Sequence, residues 1–234
     1  MRVAALYDVH GNLPALQAVL ADVERTGVDR IVCGGDLVAG PMPAACLDRL
    51  LELGDQVRFV RGNGDREVTE RQAAHGASWC AEQLGDGRLA LVAAWPLTAS
   101  IEGALFCHAT PRSDSEIVTR LTPDDQLAAA LDSPTAGLVV GGHTHVQVDR
   151  RLPNGTRFVN AGSVGRPYEG RRWAFWALFE DEEVELVRTP YDVESAAAAI
   201  RSSGYPDARD HADQLLDPPD PDEVTAYFEG QRGA

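Results

Sequence analysis

The sequence predicts an α/β fold in which two β-sheets pack together and helices cover their outer faces. In the first half of this 234-residue chain, apolar strand-like runs alternate with helical patterns, a rhythm typical of a mostly parallel sheet. Between residues 105 and 188 strand-like runs dominate, which indicates a second, mixed sheet. Polar residues able to bind metals follow several of these runs directly, where parallel sheets place their ligands.

The first half is predicted to contain three strands, each followed by a helix. The strands are the apolar runs at residues 2–7, 30–33 and 57–60, and the helices are residues 13–26, 43–53 and 65–84. In the first helix apolar residues recur at helical spacing, Asn12 can serve as N-cap and Pro14 suits the first turn. Gly54 should end the second helix. The third helix is predicted to be one longer, continuous element.

The second half is predicted to contain six strands and two helices. The strands are residues 105–107, 137–140, 146–151, 156–160, 173–179 and 184–188, and the helices are residues 192–203 and 222–229. Asn154 and Gly155 are typical of a hairpin turn, and residues 180–183 form another turn. The aromatic residues Trp173, Phe175 and Trp176 are expected in the core, with a dimer surface as the alternative.

The organisation and composition limit the possible partners and location. No linker or repeat divides the chain, so residues 1–234 are predicted to form one domain with an acidic helical extension from about residue 190. A net charge of −15 argues against a stable nucleic-acid complex. No apolar run approaches the roughly 20 residues of a membrane span, and the N-terminus lacks a signal-peptide pattern. A soluble, cytoplasmic protein without a membrane partner is expected, and homo-oligomerisation is left open.

Two further expectations come from the composition. From residue 180 onward the chain has 15 acidic residues against 4 arginines, and this acidic segment is expected to be a solvated surface. The four cysteines form no CxxC pair, and two of them, Cys33 and Cys107, lie in predicted strands. Free, buried thiols are therefore expected.

Seven side chains able to bind metals stand just beyond short apolar runs. They are Asp8 and His10 after the first run, Asp36 after the second, Asn63 after the third, His108 after residues 104–107, and His143 and His145 after residues 137–140. Because the carboxyl ends of parallel strands meet at one edge of a sheet, we expect these side chains to converge. Nitrogen and oxygen donors without thiolates favour Mn, Fe, Zn or Ni over a structural zinc knot.

Other polar residues near these motifs have open or ordinary roles. Asp65 either supports the metal ligands or is a helix N-terminal carboxylate favoured by the helix dipole. The remaining histidines, His75 and His211, fit no motif and are expected at the surface. The arginines Arg66, Arg112 and Arg166 could contact a phosphate group, or could be ordinary surface residues.

Taken together and in this order, the motifs resemble those of the calcineurin-like metallophosphoesterases over about residues 1–190. Residues 160–167, with the sequence NAGSVGRP, further resemble a segment that closes the site in a small bacterial and archaeal branch of single-domain phosphodiesterases. The resemblance implies a four-layer αββα sandwich of two mixed sheets that carries a two-metal centre.

The resemblance also implies a role for each candidate residue. Asp8, His10 and His145 would bind one ion, Asn63, His108 and His143 the second, and Asp36 would bridge both. Catalytic roles are expected for Asp36, Asn63 and His108. Substrate contacts are expected from Asn63, Gly64, Arg66 and Ser163. The implied cofactors are two divalent ions, with Mn²⁺ favoured and Fe, Ni or Zn as alternatives.

Gly64 is the one clear departure from the family pattern. Many members have a histidine there, which is thought to protonate the leaving group. Acid catalysis commonly contributes roughly 10²–10⁴-fold, so its loss should matter least for good leaving groups. The sequence therefore favours a binuclear metal-dependent phosphoesterase that hydrolyses small phosphodiesters by attack of a metal-bridging hydroxide. The alternatives are a phosphomonoesterase or protein phosphatase, and a metal-bound scaffold or regulatory protein without turnover.

Overall fold

The computed structural model describes residues 1–73, 76–131, 137–181 and 183–232. Its strands are β1 (Arg2–Leu6), β2 (Arg30–Cys33), β3 (Val57–Phe59), β4 (Thr98–Ile101), β5 (Ala104–Cys107), β6 (Leu138–Gly141), β7 (Val148–Arg151), β8 (Arg157–Asn160), β9 (Trp173–Glu180) and β10 (Glu183–Pro190). Its α-helices are α1 (Leu13–Thr26), α2 (Pro43–Leu51), α3 (Asn63–Thr69), α4 (Ala77–Ala93), α5 (Asp124–Ala130), α6 (Val193–Arg201), α7 (Ala208–Leu216) and α8 (Pro221–Gln231).

The strands form two mixed sheets of five strands each. The first has the order β10-β9-β1-β2-β3, and the second has the order β4-β5-β6-β8-β7. In the first sheet β1, β2 and β3 are parallel, whereas β9 and β10 run antiparallel at one edge. In the second sheet β5, β6 and β8 are parallel, and the edge strands β4 and β7 are antiparallel. The prediction of two sheets is confirmed, and both contain antiparallel edges.

The two sheets pack face to face through alternate residues of their strands. On β1 and just beyond it, Val3, Ala5 and Tyr7 belong to the core between the sheets, whereas the intervening side chains face the outer helices. The Tyr7 hydroxyl donates to the Val140 carbonyl of the second sheet at 3.0 Å. Because both faces of β1 are buried, its sequence is continuously apolar rather than alternating.

Helices cover both outer faces, which gives the predicted four layers. Helices α1, α2, α4, α6 and α7 pack on the first sheet, and α5 packs on the second. The predicted N-cap of α1 is confirmed, because the Asn12 side chain accepts from the Ala15 N–H at 3.2 Å. Among the described residues, no helix is long and apolar enough to span a membrane.

The long helix predicted over residues 65–84 is wrong. Two helices replace it, because α3 ends at Thr69 and α4 begins after Gly76, which has a left-handed φ of 66°. The surface prediction for His75 lies outside the described residues. The second predicted helix ends two residues early, at Leu51, and Gly54 begins a short 3₁₀ turn instead of capping the helix. Strand β4 and helices α5 and α7 were not predicted.

The acidic extension after residue 190 is helical, as predicted, but only its outer side is solvated. Helices α6 and α7 bury one face each, including Ile200 and Leu215, in the core of the first sheet. The surface prediction for His211 is wrong: it lies on this buried face and is 3% exposed. In the described structure all four cysteines are free and buried, as expected, and Phe175 and Trp176 are core residues.

Candidate metal centre

The predicted metal-binding residues come from loops at the carboxyl ends of neighbouring strands. Asp8 and His10 follow β1, Asp36 follows β2, and Asn63 begins α3 after β3. In the second sheet His108 follows β5, and the turn after β6 carries the other two histidines. These strands are adjacent and parallel within their sheets, so their loops meet at one end of the sandwich.

Asp8, His10 and His145 form the first group of possible ligands. The His145 Nε2 atom lies 3.2 Å from Asp8 Oδ1 and 3.2 Å from His10 Nε2. The distance from His10 Nε2 to Asp8 Oδ1 is 3.8 Å. Ligands about 2.1 Å from one ion are separated from each other by roughly 3–3.5 Å. The spacing of these three atoms therefore suits a single cation.

Asp8, Asp36 and His108 form the second group, which shares Asp8 with the first. The His108 Nε2 atom lies 3.5 Å from Asp36 Oδ2 and 3.8 Å from Asp8 Oδ1. Asp36 Oδ2 also lies 3.7 Å from His10 Nε2. Asp36 therefore stands between a histidine of each group, the position that a bridging carboxylate needs.

Backbone carbonyls fix the orientation of three of the imidazole rings. His10 Nδ1 lies 3.0 Å from the Ala39 carbonyl oxygen, and His108 Nδ1 lies 3.0 Å from that of Gly34. His145 Nδ1 lies 2.6 Å from the carbonyl oxygen of Arg166. Since a carbonyl only accepts, each Nδ1 carries the hydrogen in these contacts. In a neutral ring the Nε2 lone pair is then free and directed at the carboxylates, an arrangement typical of metal-binding histidines.

Several buried atoms at the site lack the partners that such atoms normally have. Across the part of the chain that the structure describes, five buried side-chain atoms have no hydrogen-bond partner, and three of these are Asp8 Oδ1, Asn63 Oδ1 and His108 Nε2. Buried polar atoms are nearly always paired. A divalent cation would satisfy carboxylate, amide oxygen and imidazole nitrogen together, so the residues fit divalent metal ions.

The electrostatics of the cluster keep its carboxylates ionised. Burial opposes ionisation of Asp8 and Asp36, but the nearby histidines outweigh it, so the pKa of each is lowered. Burial also lowers the pKa of His10 and of His143 to about 4, so both rings are neutral at pH 7. His108 differs: burial is outweighed by Asp36 and Asp8, which raise its pKa to about 10. Both carboxylates and two of these rings are therefore in ligand form.

The backbone at the site is strained. Of the eight non-glycine residues with positive φ in the described structure, five are candidate ligands: Asp8, His10, Asp36, His143 and His145. Their φ angles lie between 44° and 69°, a left-handed region that costs non-glycine residues energy. Such strain persists only where surrounding contacts hold it, and two neighbouring networks supply those contacts.

Asp65 holds the loop that carries Asp36. Its buried carboxylate accepts from the backbone N–H groups of Asp36 (2.8 Å), Leu37 (2.9 Å), Val38 (3.0 Å) and Gly62 (3.1 Å). Burial and then the Asp36 charge raise the pKa of Asp65 to about 7, against the favourable backbone hydrogen bonds. Asp65 therefore has both of the roles considered for it. It supports the loop of a metal-binding residue, and its bond from the Gly62 N–H also caps the N-terminus of α3.

The segment at residues 160–166 closes the other side of the cluster. The Asn160 amide donates to the Gly142 carbonyl at 2.6 Å, which braces the turn that carries the two histidines. Ser163 is fully buried; its hydroxyl donates to the Asp8 carbonyl and accepts from the Arg166 N–H, both at 2.8 Å. A Cβ atom on Gly165 would lie 1.7 Å from the Val9 carbonyl oxygen, so only glycine lets this segment cross the end of β1.

Two predicted ligands lie beside the two groups rather than within them. The His143 ring centroid is 5.3 Å from that of His108, and its backbone N–H donates to Asp8 Oδ2 at 2.9 Å. The Asn63 amide nitrogen donates to Glu67 at 3.3 Å, which leaves the buried Oδ1 without a partner. Both residues adjoin the cluster, and their coordination stays a prediction.

The comparison with known proteins agrees with this arrangement. The model of the calcineurin-like phosphoesterase superfamily domain matches residues 1–182, well over half of the chain. The chain belongs to the calcineurin-like phosphoesterase superfamily. Metallophosphoesterases use divalent metal ions, and the oxygen and nitrogen atoms at this site suit such ions.

Its relatives extend the similarity through most of the chain. It is 28% identical over 234 aligned residues to an uncharacterized protein of Methanocaldococcus jannaschii, covering 88% of this chain and 94% of that protein. It is 29% identical over 193 residues to the phosphodiesterase YfcE of Escherichia coli, covering 77% and 89%. A solved metallophosphoesterase from Sphaerobacter thermophilus has a TM-score of 0.79 at 27% identity and covers 93% of this chain and 99% of that one. That coverage extends beyond residue 182 into the C-terminal extension.

The predicted substrate contacts stay predictions, and the structure shows what these residues contact within the phosphoesterase. The Arg66 guanidinium is committed to Asp114 by two hydrogen bonds of 2.9 and 3.2 Å, and Arg112 is paired with Glu116. The hydroxyl of Ser163 is buried and bonded to two backbone groups, so in this structure it holds the loop in place. Gly64 is adjacent to the cluster, because its N–H donates to Asp36 Oδ1 at 2.7 Å.

The rim of the site contains residues that the sequence prediction missed. Tyr168 stacks on the His145 ring at 4.6 Å, and the Phe228 ring of α8 lies 6.4 Å from that of His143. Helix α8 is held there by Glu229, which accepts from the hydroxyls of Thr119 (2.5 Å) and Thr122 (3.2 Å). No sequence motif marks these rim residues. The buried position of His211 could have been predicted, because the apolar residues of α7 follow a helical spacing that places His211 on the same face.

Proposed function

We propose that this phosphoesterase is a binuclear metal-dependent phosphodiesterase that acts on small phosphodiesters. The observation that carries the proposal is that three buried atoms able to bind a metal, Asp8 Oδ1, Asn63 Oδ1 and His108 Nε2, have no hydrogen-bond partner in the described structure. In this proposal Asp8, His10 and His145 hold one ion, and Asn63, His108 and His143 hold the other, with Asp36 shared. Mn²⁺ is the favoured metal, and Fe, Ni and Zn suit the same donors.

When bound, two such ions activate water as a nucleophile and neutralise charge on a phosphoryl group. The protein's own part is to keep the ligands in place. Asp36 stays ionised and accepts the Gly64 N–H, so its second oxygen remains directed at the histidines. The carbonyls behind His10, His108 and His145 hold their rings with Nε2 inward.

The absence of an acid at residue 64 supports diesters over monoesters with poor leaving groups. Gly64 is buried, and a Cβ atom there would lie 2.8 Å from the Ala39 Cβ atom, so the loop has no room for a larger side chain without a shift. Esters with good leaving groups depend least on a general acid. The similarity to a protein named phosphodiesterase, 29% identical over 77% of this chain, points to the same class.

The test compares matched aryl phosphodiester and phosphomonoester substrates on metal-stripped protein reloaded with Mn²⁺. We expect faster diester turnover and two Mn²⁺ ions bound per chain. Asp36→Asn should abolish turnover and reduce the bound metal. Asp48→Asn is the matched control, because Asp48 is half-exposed and forms an ion pair with Arg88 at the surface. Faster monoester turnover would identify a phosphatase, and full metal binding without turnover on either ester would favour a scaffold.

A further inference from the structure

The backbone of Arg166 contacts the candidate metal centre. Its carbonyl oxygen accepts from His145 Nδ1 at 2.6 Å, and its N–H donates to the buried hydroxyl of Ser163 at 2.8 Å. Both contacts involve the backbone, which leaves the side chain free for another role. Because these two contacts hold the backbone of Arg166, they also fix the position from which its side chain extends.

The side chain of Arg166 is oriented by the C-terminal extension. Its Nε atom donates to Gln214 Oε1 of α7 at 2.5 Å. One turn earlier on the same helix, His211 Nε2 donates to the carbonyl of Gly165 at 3.3 Å. Helix α7 therefore contacts two consecutive residues of the segment that closes the site. Gln214 uses only Nε, so the two terminal amino groups of Arg166 remain as donors among the residues that the structure describes.

The charge of Arg166 is unbalanced. Within the described residues, no carboxylate lies within 4.0 Å of its guanidinium. In contrast, Arg66 and Arg112, the other two arginines considered for phosphate contact, both have acidic partners. Burial first, with a contribution from the Arg166 charge, lowers the pKa of His211 to about 3. A cation next to a centre for divalent ions is repelled by them. An anion bound at the same place would offset that repulsion.

We propose that Arg166 binds the substrate phosphate at the metal centre, and that Gln214 is the positioning residue that aims its guanidinium. This inference rests on the proposed function and extends it to the C-terminal extension, which becomes part of the substrate site. The planar guanidinium matches the oxygen spacing of a phosphate and binds it with charge-assisted hydrogen bonds. A neutral glutamine suits this role, because it orients the arginine without neutralising it.

The first test measures the affinity of the Mn²⁺-loaded protein for inorganic phosphate by calorimetry. Arg166→Gln should weaken phosphate binding roughly tenfold or more, the size expected for a charge-assisted contact. Arg209→Gln is the matched control, because it removes the same charge from an 88% exposed side chain on α7. Unchanged affinity in Arg166→Gln, or an equal loss in the control, would overturn the proposal.

The second test asks whether Gln214 acts through Arg166. Gln214→Leu should also weaken phosphate binding, and the double variant Arg166→Gln, Gln214→Leu should bind no more weakly than Arg166→Gln alone. If Gln214→Leu weakened phosphate binding equally in the wild type and in Arg166→Gln, the two effects would be additive. Gln214 would then support only the fold, which would refute its positioning role. Thermal melting of the metal-free variants checks that each one is folded. Phosphate affinity requires no turnover, so these results are separate from a failure of the proposed diester hydrolysis.

Discussion

Replacement of Asp65 by asparagine tests whether one side chain holds the strained loop of the metal centre. The carboxylate accepts four backbone N–H groups, two on each oxygen. An asparagine keeps one acceptor oxygen, and its amide group faces the other two N–H groups as a second donor. In either orientation of the amide, two buried N–H groups lose their partner.

The expected cost follows from those two groups. A buried donor without a partner costs about 1–3 kcal/mol, so the two lost partners together cost about 2–6 kcal/mol. Asparagine also removes a charge that the folded state disfavours, because burial and Asp36 raise the pKa of Asp65. Asp65→Asn should therefore lower the free energy of unfolding by no more than about 2–6 kcal/mol. This is a large part of the roughly 5–15 kcal/mol typical of a folded protein. The loss should also weaken metal binding, because the backbone of Asp36 is one of the groups released.

Urea unfolding of the metal-free protein at pH 8 measures this difference without a contribution from bound metal. At that pH the Asp65 carboxyl, with a pKa raised to about 7 by burial and Asp36, is mostly ionised. Asp48→Asn is the control, because it removes the same charge from an exposed ion pair and should cost less than about 1 kcal/mol. If Asp65→Asn were no more destabilising than Asp48→Asn, the reasoning would be refuted.

Two further predictions concern packing and pH. Gly64→Ala should destabilise the protein by about 1–3 kcal/mol through overpacking, because the new Cβ atom would lie 2.8 Å from that of Ala39. The double variant Gly64→Ala, Ala39→Gly should recover part of this loss. Urea unfolding measures both effects. His211→Gln should flatten the acid dependence of stability. Burial, with Arg166, lowers the pKa of His211 to about 3, so below about pH 6.5 only the unfolded chain takes up this proton. The wild type should therefore lose about 2 kcal/mol more than the variant between pH 7 and pH 5.

Each of these predictions has a clear contrary result. Gly87→Ala is the matched control for Gly64, since a Cβ atom at Gly87 meets nothing within 4 Å, and it should stabilise helix α4 slightly. Similar effects of the two substitutions would contradict the packing argument. For His211, parallel stability curves for metal-free wild type and variant from pH 7 to pH 5 would show that this ring does not titrate differently in the folded state.

Local sequence was sufficient for most of the elements. The α1 helix has its apolar spacing, its N-cap Asn12 and its closing Gly27 within one segment, and its predicted and observed bounds agree. The long helix over residues 65–84 failed because a left-handed Gly76 interrupts a favourable apolar pattern. Helix α7 was missed, although Ala208, His211 and Leu215 follow helical spacing, because its polar residues mask that pattern.

The sequence by itself determined which residues can bind metal, because carboxylates and imidazoles after apolar runs are visible in the order of the letters. It also determined that they converge, since parallel strands share one carboxyl edge. The tertiary structure alone decided which polar residues support the site and which could contact a ligand. Asp65, Ser163 and Arg166 differ in their partners, and those partners are set by contacts between segments far apart in the chain. No local pattern encodes such contacts, because they depend on how the two sheets and the C-terminal helices pack.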